Sequence, residues 1–163
     1  MQTQLKKTLF LLTSVSFLLV YACSPLFAAS EKDMEGWGIE DDYNQLYDPK
    51  ELDKLKGIVV KFKKVQPLSG MSKATALILD EGGDKIVVHI CPVWFATAKD
   101  TGIKRGDKVK IKGSWAEING EDVFMASKIK KGEHYQFKVR LTKDGTPFWT
   151  MSEEQLAYER SQE

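Results

Sequence analysis

The chain has 163 residues, 42% of them hydrophobic, a length that holds one compact core behind a targeting segment and excludes a second full domain. Its formal net charge is only +1, yet the sign changes along the chain. Residues 31–56 carry nine acids against four lysines, residues 57–140 sixteen Lys or Arg against nine acids, and residues 141–163 five acids against two basic residues. A basic body between acidic ends attracts an anionic partner, unless the ends fold back over it.

Lys6 and Lys7 precede an apolar run of about fourteen residues, Thr8 to Tyr21, in the order of a secretory signal peptide over residues 1–30. The run falls short of the roughly twenty apolar residues that a membrane-spanning helix needs. Two processing sites compete. Val20-Tyr21-Ala22-Cys23 has the form of a lipobox with Cys23 as the lipidated residue, although Tyr21 fits it poorly, and Ala28-Ala29-Ser30 offers small residues to a signal peptidase. The first gives an outer-membrane lipoprotein, the second a periplasmic protein that starts near Glu31. Either route removes Cys23 from disulfide chemistry. Cys91 is then an odd thiol in an oxidising space, where it is buried, bonded to another molecule, or a ligand.

Residues 31–56 read as an acidic spacer without apolar periodicity, closed by a short helix that Asp48-Pro49-Lys50-Glu51 starts and Gly57 ends. The body follows over residues 57–131. Ile58 to Lys63 makes a first strand, Ala74 to Asp80 a second, and Lys85 to Cys91 a third, the last two joined by Glu81-Gly82-Gly83-Asp84. On the third strand Ile86, Val88 and Ile90 share the apolar face, and His89 and Cys91 point the other way. Val93 to Lys99, with Trp94 and Phe95, has the spacing of a short helix. Lys108-Val109-Lys110-Ile111-Lys112 alternates strictly and sets three lysines on one face of a fourth strand. Asn119-Gly120 signals a hairpin into a fifth strand, Val123 to Ile129. Residues 132–163 read as a terminal hairpin and a short helical tail, with Ser152-Glu153-Glu154-Gln155 in the form of a capping box.

Three strands, a helix and two more strands are the order of an OB-fold, so the expected class is all-β: a small five-stranded Greek-key barrel with one short helix after strand three, plus a C-terminal hairpin. Gly106-Asp107-Lys108-Val109-Lys110-Ile111-Lys112-Gly113, His89-Ile90-Cys91-Pro92-Val93-Trp94 and Asp144-Gly145-Thr146-Pro147-Phe148-Trp149 resemble segments of exported bacterial OB-fold-like proteins, largely uncharacterised, over residues 47–149. That resemblance implies a fold and no activity.

Several chemistries lack their signatures. There is no Cys-x-x-Cys-His, no phosphate-cradling Gly-rich loop, no His-Glu-x-x-His and no Gly-x-Ser-x-Gly. No cofactor and no catalytic residue are expected, and the chain reads as a non-enzymatic binding or assembly module of the bacterial cell envelope. Its partner is another envelope protein or an anionic ligand, with the membrane reached only through a lipid on Cys23. The expected contact residues are His89, Cys91, Trp94, Lys108, Lys110 and Lys112. Two alternatives stand beside that reading. His89 and Cys91 share a face and could begin a metal or redox site, with Met71, Met125 or His134 as a third ligand. The lysines of strand four could instead track single-stranded nucleic acid or another polyanion, although export and the lack of aromatic platforms on that strand argue against nucleic acid.

Overall fold

The computed structural model describes residues 34–162. The signal segment and Cys23 lie outside the described residues. Residues 33–163 form one compact unit whose buried hydrophobic residues run from Trp37 to Trp149, so the unit carries its own core.

In chain order the elements are α1 (Asp42–Gln45), β1 (Asp53–Val65), β2 (Ala74–Glu81), β3 (Asp84–Pro92), β4 (Lys108–Ile118), β5 (Glu121–Lys131), β6 (Tyr135–Lys138), a 3-10 turn (Phe148–Thr150) and α2 (Glu153–Ser161). The strands form one sheet in the order β3-β2-β1-β4-β5-β6. All neighbours in that order are antiparallel, and β3 also meets β5 in parallel, Val88 opposite Phe124 and His89 opposite Met125. Leu55, Val59, Leu77, Leu79, Val88, Val109, Ile111, Phe124 and Ile129 fill the interior. Period-two alternation explains β1 and β4, whose inward positions are apolar and whose outward positions are largely lysine. Asn119 and Gly120, at φ 54° and 77°, make the two-residue turn between β4 and β5 that their sequence demands.

The expected five-stranded barrel is corrected. The sheet has six strands, because Gly132 (φ 65°) turns the chain so that β6 pairs with β5 instead of standing in a separate hairpin. The expected helix after the third strand is absent, and residues 93–107 run through successive turns. Thr97 N and Oγ both bond the Asp100 carboxylate (2.8 and 2.7 Å), and this local side-chain bonding competes with helical backbone bonding. The helix expected at 48–55 is also replaced. Asp48 Oδ1 accepts from Lys50 N at 2.7 Å in a tight turn, and β1 already starts at Asp53.

The acidic lead is anchored. Trp37 and Tyr43 are buried, Trp37 Nε1 donates to Ser72, and Trp149 Nε1 donates to the Trp37 carbonyl at 2.9 Å. Asn44 Nδ2 bonds the carbonyls of Trp37 and Gly38 (2.8 and 2.7 Å), and its Oδ1 accepts from Arg140 at 2.7 Å. The 3-10 turn after the bridge between Arg140 and Pro147 brings Trp149 to this contact. At the C-terminus, Ser152 and Gln155 complete the capping box of α2.

Candidate anion-binding face

The register of three strands assembles a lysine array on the outer side of the sheet. Lys54 and Lys56 of β1 stand opposite Lys112 and Lys110 of β4, and Lys110 and Lys112 stand opposite Lys130 and Lys128 of β5. Lys138 of β6 extends one row opposite Lys128, and Lys108 faces Ile58 at the end of the array. Neighbouring strands lie about 4.8 Å apart, and outward residues on one strand recur about every 6.8 Å, so the charges form a two-dimensional grid. Among the described residues, no acidic side chain forms an ion pair with Lys54, Lys56, Lys108, Lys110, Lys112 or Lys130. Like charges directly opposite each other cost the sheet about 0.2–1 kcal/mol per pair.

A one-residue bulge at Lys112/Gly113 creates this arrangement. Carried straight from the Asn119-Gly120 turn, the register would set Lys110 against Ile129 and turn that core residue outward. The bulge sets Lys110 against Lys130 and Ile111 against Ile129, so both lysine rows stay outside and both isoleucines inside. Gly113 is required there, since a Cβ would run into the Met125 carbonyl.

Two clefts open on the array. One, of about 350 Å³, is lined by Lys54, Lys110, Ile111, Lys112, Lys128 and Lys130. The other, of about 620 Å³, has Gly57, Ile58 and Val109 in its lining and lies between the end of β2 (Asp80) with its following turn (Gly82) and the β5–β6 turn (Gly132, Glu133), with Lys56, Lys108, Lys110 and Lys130 around it. Ile58 is 44% exposed, an apolar side chain that stands opposite Lys108 of β4 on one side and Asp80 of β2 on the other.

The structure places His89 and Cys91 elsewhere. Both had been expected to point outward as contact residues, and both are buried. β3 is paired on both edges, and the face away from the core is covered by the lead and by the loop at Ala96. Tyr43 Oη lies 3.3 Å from His89 Nδ1 with the two rings stacked, and Cys91 Sγ donates to the Ala96 carbonyl at 3.5 Å. Burial, with a smaller contribution from Lys63, lowers the His89 pKa to about 4. Burial raises the Cys91 thiol to about 12, so it is protonated at neutral pH. Among the described residues no group of three His, Cys, Asp or Glu is placed to hold a metal ion, and His134 is exposed on the β5–β6 turn. Trp94 is 38% exposed on the 93–107 segment and borders neither lysine-lined cleft.

Sequence reasoning found Lys108, Lys110 and Lys112 and missed Lys54, Lys56, Lys130 and Ile58. The signal for the first two was present, because Lys54-Leu55-Lys56 continues the alternation of β1. Lys128 and Lys130 also alternate, but only the register shows which lysines they face.

Residues 51–136 match the model of the MamS/MamX magnetosome protein family, more than half of the chain. The chain belongs to that family. The matched span contains all six of these lysines, both clefts, and His89 and Cys91; it ends before Arg140. Among solved structures, the family member is similar to the dimeric N-terminal domain of the PriB protein from Thermoanaerobacter tencongensis. The identity is 20%, the match covers 52% of this chain and 99% of that domain, and the TM-score is 0.40, a likeness that carries no functional inference. No curated protein matches the sequence.

Proposed function

We propose that the chain is a non-enzymatic binding module associated with the magnetosome, holding a polyanion on the lysine face of β1, β4 and β5. The observation that carries this reading is the cross-strand register, which sets lysine against lysine in two rows across β1, β4 and β5. A fold that accepts several like-charge pairs side by side gives up stability that an anionic partner restores on binding. The family name supports placing the module with the magnetosome. The leader over residues 1–30 is proposed to export it, with either a lipid on Cys23 or cleavage near Ala29, and the intact mass of the native protein separates these two forms.

Protein spanning residues 34–163, titrated with fluorescein-labelled polyphosphate over a range of salt concentrations, tests the reading. Engagement of six lysines predicts a slope of about four to five in log affinity against log salt, at about 0.7–0.9 per neutralised charge. A flat salt dependence, or an affinity that survives Lys56→Gln, Lys110→Gln and Lys130→Gln together, contradicts it.

A further inference from the structure

The lysine grid and the cleft around Ile58 occupy the same side of the sheet, and together they narrow the anion. A single phosphate chain follows one row of charges, whereas here the lysines spread over three adjacent strands and extend in two directions. A planar field of phosphates can meet all of them at once. Beside the grid, the larger cleft brings the exposed aliphatic side chain of Ile58 among four lysines. Its volume of about 620 Å³ lies in the range of small-ligand sites, roughly 300–1,000 Å³. Neither cleft has an aromatic residue in its lining on which a nucleobase could stack. Cationic groups around an exposed aliphatic side chain are the chemistry of an interfacial lipid site, in which charge holds the headgroup plane and an apolar group enters the boundary below it.

We infer that the lysine face docks on a leaflet of anionic phospholipid, with the phosphates on Lys54, Lys56, Lys108, Lys110, Lys112 and Lys130 and Ile58 entering the headgroup boundary at the cleft. This rests on the polyanion reading and specifies its partner. Asp80, opposite Ile58 on β2, is ion-paired with Lys85, and Glu133 lies on the β5–β6 turn, so the two acids flank the cleft and the lysines between them make the contact. The orientation follows: β1, β4 and β5 face the membrane, and the anchored lead and α2 lie off the contact.

The test is co-sedimentation of residues 34–163 with vesicles of phosphatidylcholine alone and of equimolar phosphatidylcholine and phosphatidylglycerol, beside the polyphosphate titration. Binding is expected only to the anionic vesicles and falls about fivefold for each lysine neutralised. Ile58→Ser is expected to weaken vesicle binding about tenfold and to leave polyphosphate binding unchanged, because only the leaflet offers an apolar layer. If polyphosphate binds and anionic vesicles do not, the leaflet is overturned and the polyanion reading stands; if neither binds, both fall. Equal loss of both ligands in Ile58→Ser overturns the insertion, as does vesicle binding that the substitution leaves unchanged. A single-stranded oligonucleotide that displaces the protein from vesicles at equal phosphate concentration makes nucleic acid the partner and overturns the leaflet.

Discussion

Lys110 stands at the centre of the array, with Lys56 opposite it on one side and Lys130 on the other, so Lys110→Thr removes two like-charge pairs at once. At about 0.2–1 kcal/mol per pair, and with threonine well suited to a strand, the substitution is expected to stabilise the fold by about 0.5–2 kcal/mol at low salt. For a body of this size that is a rise of roughly 2–8 °C in Tm. The gain shrinks as salt rises, because these charges are exposed and the screening length falls to about 8–10 Å near physiological ionic strength. The same variant should bind polyphosphate more weakly, with a salt slope lower by about 0.7–0.9. Thermal unfolding at low and high salt, measured beside the anion titration, gives both numbers. A lower Tm at low salt would refute the assigned register, and an unchanged salt slope would remove Lys110 from the binding face.

The buried groups make three further predictions. His89 has a folded pKa of about 4 against an unfolded 6.5, so the folded state resists a proton that the unfolded state accepts. Stability that is complete above pH 6.5 is therefore lost as pH falls, by about 3 kcal/mol once the pH reaches 4. Denaturant titrations across that window should show the loss, and His89→Gln should flatten it; an equal slope in the variant would put the acid sensitivity elsewhere. Cys91, protonated and buried, should react with a thiol reagent at neutral pH only at the rate of unfolding, and fast labelling of the native protein would contradict its placement. Tyr47 Oη is buried without a hydrogen-bond partner among the described residues, while the nearby Ser127 hydroxyl donates to the Lys112 carbonyl at 3.0 Å. Tyr47→Phe should leave stability unchanged or raise it by up to about 1 kcal/mol in chemical denaturation, keeping the ring beneath the Arg140 guanidinium; a loss of more than about 1 kcal/mol would mean that the hydroxyl is satisfied.

Alternation made most strands legible, and the Asn119-Gly120 turn set the pairing of β4 with β5. What sequence could not supply was the second cover over β3. Ile86, Val88 and Ile90 mark one inward face, but β3 is paired on both edges and the lead packs across its other side, so His89 and Cys91 become interior residues. The lead itself looked like a spacer because its anchors are not periodic. Trp37, Tyr43, Asn44 and Tyr47 act through single long-range contacts with Ser72, His89, Arg140 and Trp149, which no spacing announces. Arg140 shows the same point. It lies in the stretch that reads as a terminal hairpin, yet it is buried with its guanidinium over the Tyr47 and Trp149 rings, 4.8 Å from each centroid, and burial lowers its pKa only to about 10, which leaves it charged at neutral pH. The lysine face was half legible for a related reason. Strand four displayed its own three lysines, but only the bulge at Gly113 decides that the lysines of β5 stand beside them, and a bulge has no reliable mark in a single sequence.

The most direct test of the lysine face is mass-spectrometric footprinting of lysine acetylation on residues 34–163, with and without saturating polyphosphate. The account predicts protection of Lys54, Lys56, Lys108, Lys110, Lys112 and Lys130, with Lys73, Lys99, Lys104 and Lys143, all exposed and outside the strand segments of the array, labelled at unchanged rates. Protection spread evenly over both sets, or confined to the second, would contradict it.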